Sequence, residues 1–231
     1  MSARPSTVSA NYQYWRDQGP KWVEDYDRHK KAGPKYHIGE FVLCDYVERM
    51  APARVLEFGC GSGRHLRYLC RVPGVRAHGF DQSPTMVDGM LRWTSREWVD
   101  EHVQIGEPLQ RLPYGDGEFD LVFTASVLVH VRPEDLEGRL SELARVSRGH
   151  VLHLEPRPDR SHSGQEGTNC WRHDLVAAYQ RLGWTCEDLG AQTRSVPTYR
   201  ALKPGTEVGW RPSPRLLELN DRLVSDLSPK A

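Results

Sequence analysis

An excess charge of either sign is missing from this chain: 31 Lys and Arg stand against 31 Asp and Glu in 231 residues. Nothing therefore advertises a basic surface for nucleic acid or an acidic one for cationic partners. Long apolar runs are missing too, and no stretch approaches the roughly 18 residues that cross a bilayer. Residues 1–10 carry no apolar core of the secretory type, so the expectation is a cytoplasmic protein with no membrane contact. Cysteine is sparse. Cys44, Cys60, Cys70, Cys170 and Cys186 form an odd set with no C-x-x-C pair, which argues against a disulfide framework and a zinc ribbon. What is present, 38% hydrophobic and 27% charged residues, is ordinary globular composition, and the length suits one domain better than two.

The most informative stretch is Val55-Leu56-Glu57-Phe58-Gly59-Cys60-Gly61-Ser62-Gly63-Arg64. It reads as a buried strand, a glycine turn and the first turn of a helix. Glycines at 59, 61 and 63 permit a tight turn and let a ligand lie against bare peptide. Asp81 follows 22 positions past Gly59, at the end of the next apolar run. That is about the distance at which a βαβ unit sets a carboxylate on a ribose. The third glycine comes one residue earlier than in the dinucleotide fingerprint, and Arg64 holds the fingerprint's position. Glu57, where a nicotinamide enzyme usually has a small or apolar residue, can accept from an ammonium. Both carboxylates also have plain readings: Glu57 as a solvent-facing strand end, Asp81 as a helix N-cap.

Around this core the elements alternate. Tyr14-Trp15, Trp22 and Tyr26 suit an N-terminal helix with an aromatic face, ended by Gly33-Pro34. Residues 38–50 resume helical periodicity. Strands are expected at 55–58, 75–80, 102–105, 119–123 and 151–154, with helices at 64–71, from Ser83-Pro84 to about Trp98, and at 133–148. A loop rich in Pro, Arg, Ser and Gly covers 155–170. A helix at 171–182, closing strands at 184–189 and 195–202, and a proline-bearing tail with a short helix at 216–227 complete the chain. Alternation of this kind predicts a mostly parallel sheet with helices on both faces and a ligand beyond the strands' carboxyl ends. Gly59, Asp81, Ala125 and Glu155 all fall at such ends. The division expected is a helical lid at 1–34, the α/β domain at 35–202 and a tail at 203–231.

One further segment, Leu112-Pro113-Tyr114 with Phe119-Asp120-Leu121-Val122, completes a combination that resembles the class I S-adenosylmethionine-dependent methyltransferases, in their small-molecule branch. The likeness spans roughly residues 36–202. It implies a Rossmann-like, seven-stranded, mostly parallel sheet and S-adenosylmethionine as cofactor. It also implies that the turn Gly59, Cys60, Gly61 lies under the methionine part, that Asp81 takes the ribose hydroxyls, and that Gln82 flanks the adenine. The family often has an aspartate four residues before the Leu-Pro pair. Here that place is Pro108, preceded by Glu107, so adenine recognition rests on Glu107 or the Leu109 backbone. Of the family's Glu-His pair after strand four, Val129-His130 keeps the histidine.

An alcohol acceptor must lose a proton during attack, and histidine is the usual agent near neutral pH. His130 follows the fourth strand. His153 and Glu155 stand two apart on the fifth and so share a face, which lets His130, His153 and Glu155 converge above the cofactor. Their plain alternatives are packing roles. The same three could hold a metal, but the spacing does not demand one and none is expected. The N-terminal helix is the expected lid, with Tyr14, Trp15, Tyr26, His29, Tyr36 and His37 as candidates to meet the cofactor. Arg157, Arg160, His162 and His173 could meet an anionic acceptor, or simply face solvent. The function expected is methyl transfer to oxygen or nitrogen of a small molecule, a sugar or secondary metabolite. A tRNA or protein methyltransferase and a noncatalytic cofactor-binding subunit are the alternatives. Leu216, Leu217, Leu219, Leu223 and Leu227 could face a partner, a second copy included, or dock on their own domain.

Overall fold

The computed structural model describes residues 14–15, 17–25, 38–107, 109–158, 170–191, 197–213, 215 and 218. Tyr26, His29, Tyr36, His37, Pro108, Arg160, His162 and the five C-terminal leucines lie outside the described residues. Strands β1 (Arg54–Phe58), β2 (Arg76–Asp81), β3 (Val103–Ile105), β4 (Leu121–Ala125), β5 (His150–Leu154), β6 (Thr185–Ala191) and β7 (Pro197–Leu202) form one sheet. Their order is β3-β2-β1-β4-β5-β7-β6. The first five are parallel, and β7 enters antiparallel between β5 and β6. The expected mostly parallel, doubly covered sheet is what the chain forms.

Strand alternation divides the core between two faces. Val55, Leu121, Phe123 and Leu152 point toward α2 (Ile38–Met50) and α3 (Leu66–Leu69). Leu56, Val122, Val151 and Tyr199 point toward α6 (Pro133–Val146) and α7 (Leu175–Arg181). Leu136, Leu140 and Leu143 of α6 recur at the spacing of one helical face and are buried against the sheet. Residues 14–25, residue 16 aside, form a helix, α1.

Several boundaries differ from the sequence expectation. The helix begun by Ser83 does not run to Trp98. It covers Pro84–Asp88 (α4), tightens to a 3-10 turn at Gly89–Arg92, and a new helix, α5 (Arg96–His102), starts where Ser95 caps Trp98 N. Phe119 lies outside β4 and makes one bridge to Ser147. There Asp120 exchanges hydrogen bonds with Arg54, its carboxylate accepting from Arg54 N at 2.9 Å. The helix after the glycine turn shortens to Leu66–Leu69. Helix α7 starts at Leu175 because Asp174 caps it, accepting from Ala177 N at 2.9 Å. Among the described residues no helix is long and apolar enough to cross a membrane.

Candidate active site

The carboxyl ends of β1, β2, β4 and β5 lie along one edge of the sheet, where a fold of this kind opens its ligand crevice, and the glycine turn follows β1 there. Gly59, Gly61 and Gly63 all take left-handed backbone, at φ 75°, 52° and 74°. Their surroundings separate their duties. A Cβ on Gly59 would lie 2.4 Å from a Val127 methyl, and one on Gly63 would lie 2.6 Å from the Trp93 ring. At Gly61 a Cβ would meet Met86 Cε at 3.0 Å and nothing else within 4 Å. Internal packing thus requires the outer two glycines, while the middle one offers bare backbone. Cys60 donates its N–H to Phe80 O, and its Sγ lies 2.6 Å from where a Gly79 Cβ would stand. The thiol therefore points into the sheet. Burial, followed by the Asp81 and Glu57 carboxylates, raises its pKa well above normal.

Two buried carboxylates flank the turn. Asp81 Oδ2 accepts from Gly61 N at 2.7 Å and Oδ1 from Ser83 N at 2.8 Å, leaving about half of its lone-pair capacity. Burial pushes its pKa up to about 6 despite those bonds. Asp81 is therefore more than a helix cap: Ser83 caps α4, accepting from Met86 N. Glu57 is buried rather than solvent-facing. Its Oε1 meets His65 Nδ1 at 2.6 Å, and its Oε2 has no partner among the described residues. Gln82 is half-buried beside Asp81. Glu107 and Leu109 stand on an exposed loop, where Glu107 Oε2 accepts from Gln110 Nε2 at 2.8 Å.

At the end of β4, Ala125 leads to Ser126, a non-glycine residue at φ 55°, and then to a 3-10 turn, Leu128–His130. Glu155 holds this turn from below. Its Oε1 accepts from Thr124 Oγ1 (2.8 Å), Val127 N (3.0 Å) and Leu128 N (3.2 Å). Burial nevertheless pushes its pKa up to about 7. The carbonyl side is held as well: His173 Nε2 sits 2.9 Å from both Leu128 O and Val131 O, and Trp171 N donates to Val129 O at 2.7 Å.

His153 does not reach the crevice. It is fully buried, with Nδ1 2.9 Å from Thr124 Oγ1 and Nε2 2.8 Å from the Tyr179 hydroxyl. Burial lowers its pKa to about 3, so it stays neutral. Because Thr124 donates to Glu155, His153 Nδ1–H donates to Thr124 and Tyr179 donates to Nε2. His153 and Glu155 do share a strand face, as expected, but α7 covers it and both nitrogens are used internally. His130 stands apart at the crevice rim, where its ring meets Trp15 edge-on at 4.8 Å. Convergence of His130, His153 and Glu155 above a cofactor is thus corrected: Glu155 supports the turn that carries His130, and His153 braces Glu155 through Thr124. His173 is buried and lowered in pKa by that burial, not an anion contact, and Arg157 pairs with Asp188 at 2.8 Å. Among the described residues no group of three or more His, Cys, Asp or Glu is placed to hold a metal ion.

Sequence reasoning does not single out His65, Thr124 or Ser126. Thr124 alone left a signal, a hydroxyl in the apolar strand Leu121-Val122-Phe123-Thr124. Helix α1 crosses the crevice edge. Ser83 Oγ donates to Trp15 O at 3.0 Å, a Cβ on Gly19 would lie 2.4 Å from Thr85 Oγ1, and Val23 packs over Gly89.

Residues 55–149, the segment holding the turn, Asp81 and the stapled loop, match the family described as methyltransferase domain. That segment is similar to methyltransferase domains. The chain is 33% identical over 98 residues to a probable chloroplastic tocopherol O-methyltransferase of Oryza sativa subsp. japonica, covering 42% of this chain and 26% of that one. Norajmaline N-methyltransferase of Rauvolfia serpentina is also 33% identical over 98 residues, covering 42% of this chain and 32% of its own. This chain thus spans about a quarter to a third of the length of these two relatives. A solved DhpI-SAM-HEP complex shares the fold at TM-score 0.62 and 17% identity, over 87% of this chain and all of that one.

Proposed function

We propose that this protein transfers the methyl group of S-adenosylmethionine to an oxygen or nitrogen of a small molecule. The observation that carries the reading is the bare backbone at Gly61 between two buried carboxylates, one of which keeps an oxygen without a partner among the described residues. Such a cradle suits a ligand that brings ribose hydroxyls and an ammonium together. In this reading Asp81 spends its remaining lone pairs on the ribose, and Glu57 Oε2 accepts from the ammonium. Gly59, Cys60 and Gly61 supply backbone beneath the methionyl chain, Ala125 borders it from β4, and Gln82 flanks the adenine with Glu107 and the Leu109 backbone. Bound there, the cofactor supplies a methyl on a sulfonium. The protein's share is to align the acceptor, a contribution on the order of 7–11 kcal/mol in favourable intramolecular cases.

His130 is the proton acceptor in this reading, since it stands at the rim rather than in the core. Glu155 and Thr124 fix the turn that presents it, and α1 covers the crevice. The two relatives are named as an O- and an N-methyltransferase of small molecules, which supports the acceptor class. The zero net charge supports a small acceptor over RNA. Incubation with methyl-labelled cofactor and a metabolite extract, read by mass spectrometry, tests the proposal. Label in a small molecule is expected. Label confined to RNA or protein, or cofactor binding with no transfer to any fraction, would overturn it.

A further inference from the structure

Glu57 owes its orientation to one residue. On the sheet, Glu57 of β1 lies beside Phe123 of β4 in register. The His65 ring bridges the pair, with Nδ1 2.6 Å from Glu57 Oε1 and its edge on the Phe123 ring at 5.7 Å. His65 is itself fixed by its backbone, because its carbonyl accepts from Tyr68 N and Leu69 N at the start of α3. An ionised carboxylate only accepts, so Nδ1 carries the hydrogen. Both side chains are at most 4% exposed. Without that N–H neither carboxylate oxygen would have a hydrogen bond among the described residues, and nothing there would fix the group's orientation.

Resting on the cofactor reading above, we propose that His65 is a positioning residue. It anchors Glu57 Oε1 so that Oε2, buried and unpartnered among the described residues, faces the amino-acid end of the bound cofactor. His65 touches no cofactor atom. Its contribution is specific to ligands that bring an ammonium, and that separates it from a general folding role.

The test compares two neutral-sulfur ligands by calorimetry: S-adenosylhomocysteine, which has the amino-acid end, and 5′-methylthioadenosine, which lacks it. His65→Leu removes the donor. His65→Gln keeps polarity but moves the amide to the place of Nε2, whereas His65→Asn leaves it near Nδ1. Leu and Gln variants should lose about tenfold or more in S-adenosylhomocysteine affinity, as expected for a charge-assisted hydrogen bond at stake. They should bind 5′-methylthioadenosine within about twofold of wild type, and Asn should restore most of the preference. In a Glu57→Gln background, His65→Leu should change the preference by less than about twofold, because the two act as one unit. An unchanged preference in His65→Gln, or equal loss for both ligands, would overturn the role of His65 and leave the cofactor reading standing. A wild-type protein that binds neither ligand would overturn both.

Discussion

Single side chains in this crevice do work that depends on how deeply they are covered. Asp81 keeps lone pairs beyond the bonds to Gly61 and Ser83, so Asp81→Ala should weaken S-adenosylmethionine binding at least about tenfold, the worth of one or two charge-assisted hydrogen bonds. Unchanged affinity by calorimetry would remove its ribose role. His153 makes a pH prediction. Its folded pKa of about 3 lies below the ordinary 6.5, so the folded state binds fewer protons than the unfolded one. Its contribution is complete above about pH 6.5 and is lost as pH falls toward 3. The stability deficit of His153→Gln relative to wild type should therefore shrink by roughly 2–3 kcal/mol between pH 7 and 4.5, read by denaturant melts at each pH. The residue scale also shows what sequence can yield. Glu57 and Asp81 were legible because spacing from a glycine turn fixes both ends of a βαβ unit. His153 was misassigned because strand parity says which face a side chain takes, not that Tyr179 of α7 covers it.

At the level of elements, the turn at 126–130 is held from both sides, its N–H groups by Glu155 and its carbonyls by His173 and Trp171. Two carbonyls share the His173 ring, so His173→Leu should cost roughly 2–4 kcal/mol in a denaturant melt, the penalty for orphaning buried acceptors. The glycine turn separates fold from ligand. Gly59→Ala drives a methyl into Val127 and should lower stability by several kcal/mol through overpacking and left-handed strain. Gly61→Ala should cost only about 1–2 kcal/mol of stability while weakening S-adenosylhomocysteine at least as strongly, since in the proposed placement its new methyl would stand where the ligand lies. Equal affinity in Gly61→Ala would refute that placement. Strand and helix types were readable from periodicity, but boundaries followed tertiary demands. Ser95 restarted a helix that looked continuous through Trp98, and residues 171–173 left their expected helix to staple the turn.

Across the whole molecule, the parallel half of the sheet builds the crevice and α1 closes over its edge, tied at three places: Trp15 to Ser83 and His130, Gly19 to Thr85, and Val23 to Gly89. The mostly parallel sheet was implied by the alternation of elements. The seating of α1 was not, because an aromatic helix face reveals burial without naming the surface that buries it. Gly19→Val would push α1 from α4, and S-adenosylhomocysteine should then dissociate several-fold faster in stopped flow, with little change in melting temperature. The Ser83 tie has a kinetic consequence. The residue that caps α4 and donates its N–H to Asp81 also holds the backbone of α1. A nucleoside seated on Asp81 would therefore lie next to the chain's own N-terminal segment, which reaches His130 as well. Donor should enter first and spent donor leave last. Steady-state inhibition by S-adenosylhomocysteine would then be competitive against the donor and noncompetitive against the acceptor, with turnover paced by lifting a helix rather than by the bond exchange itself.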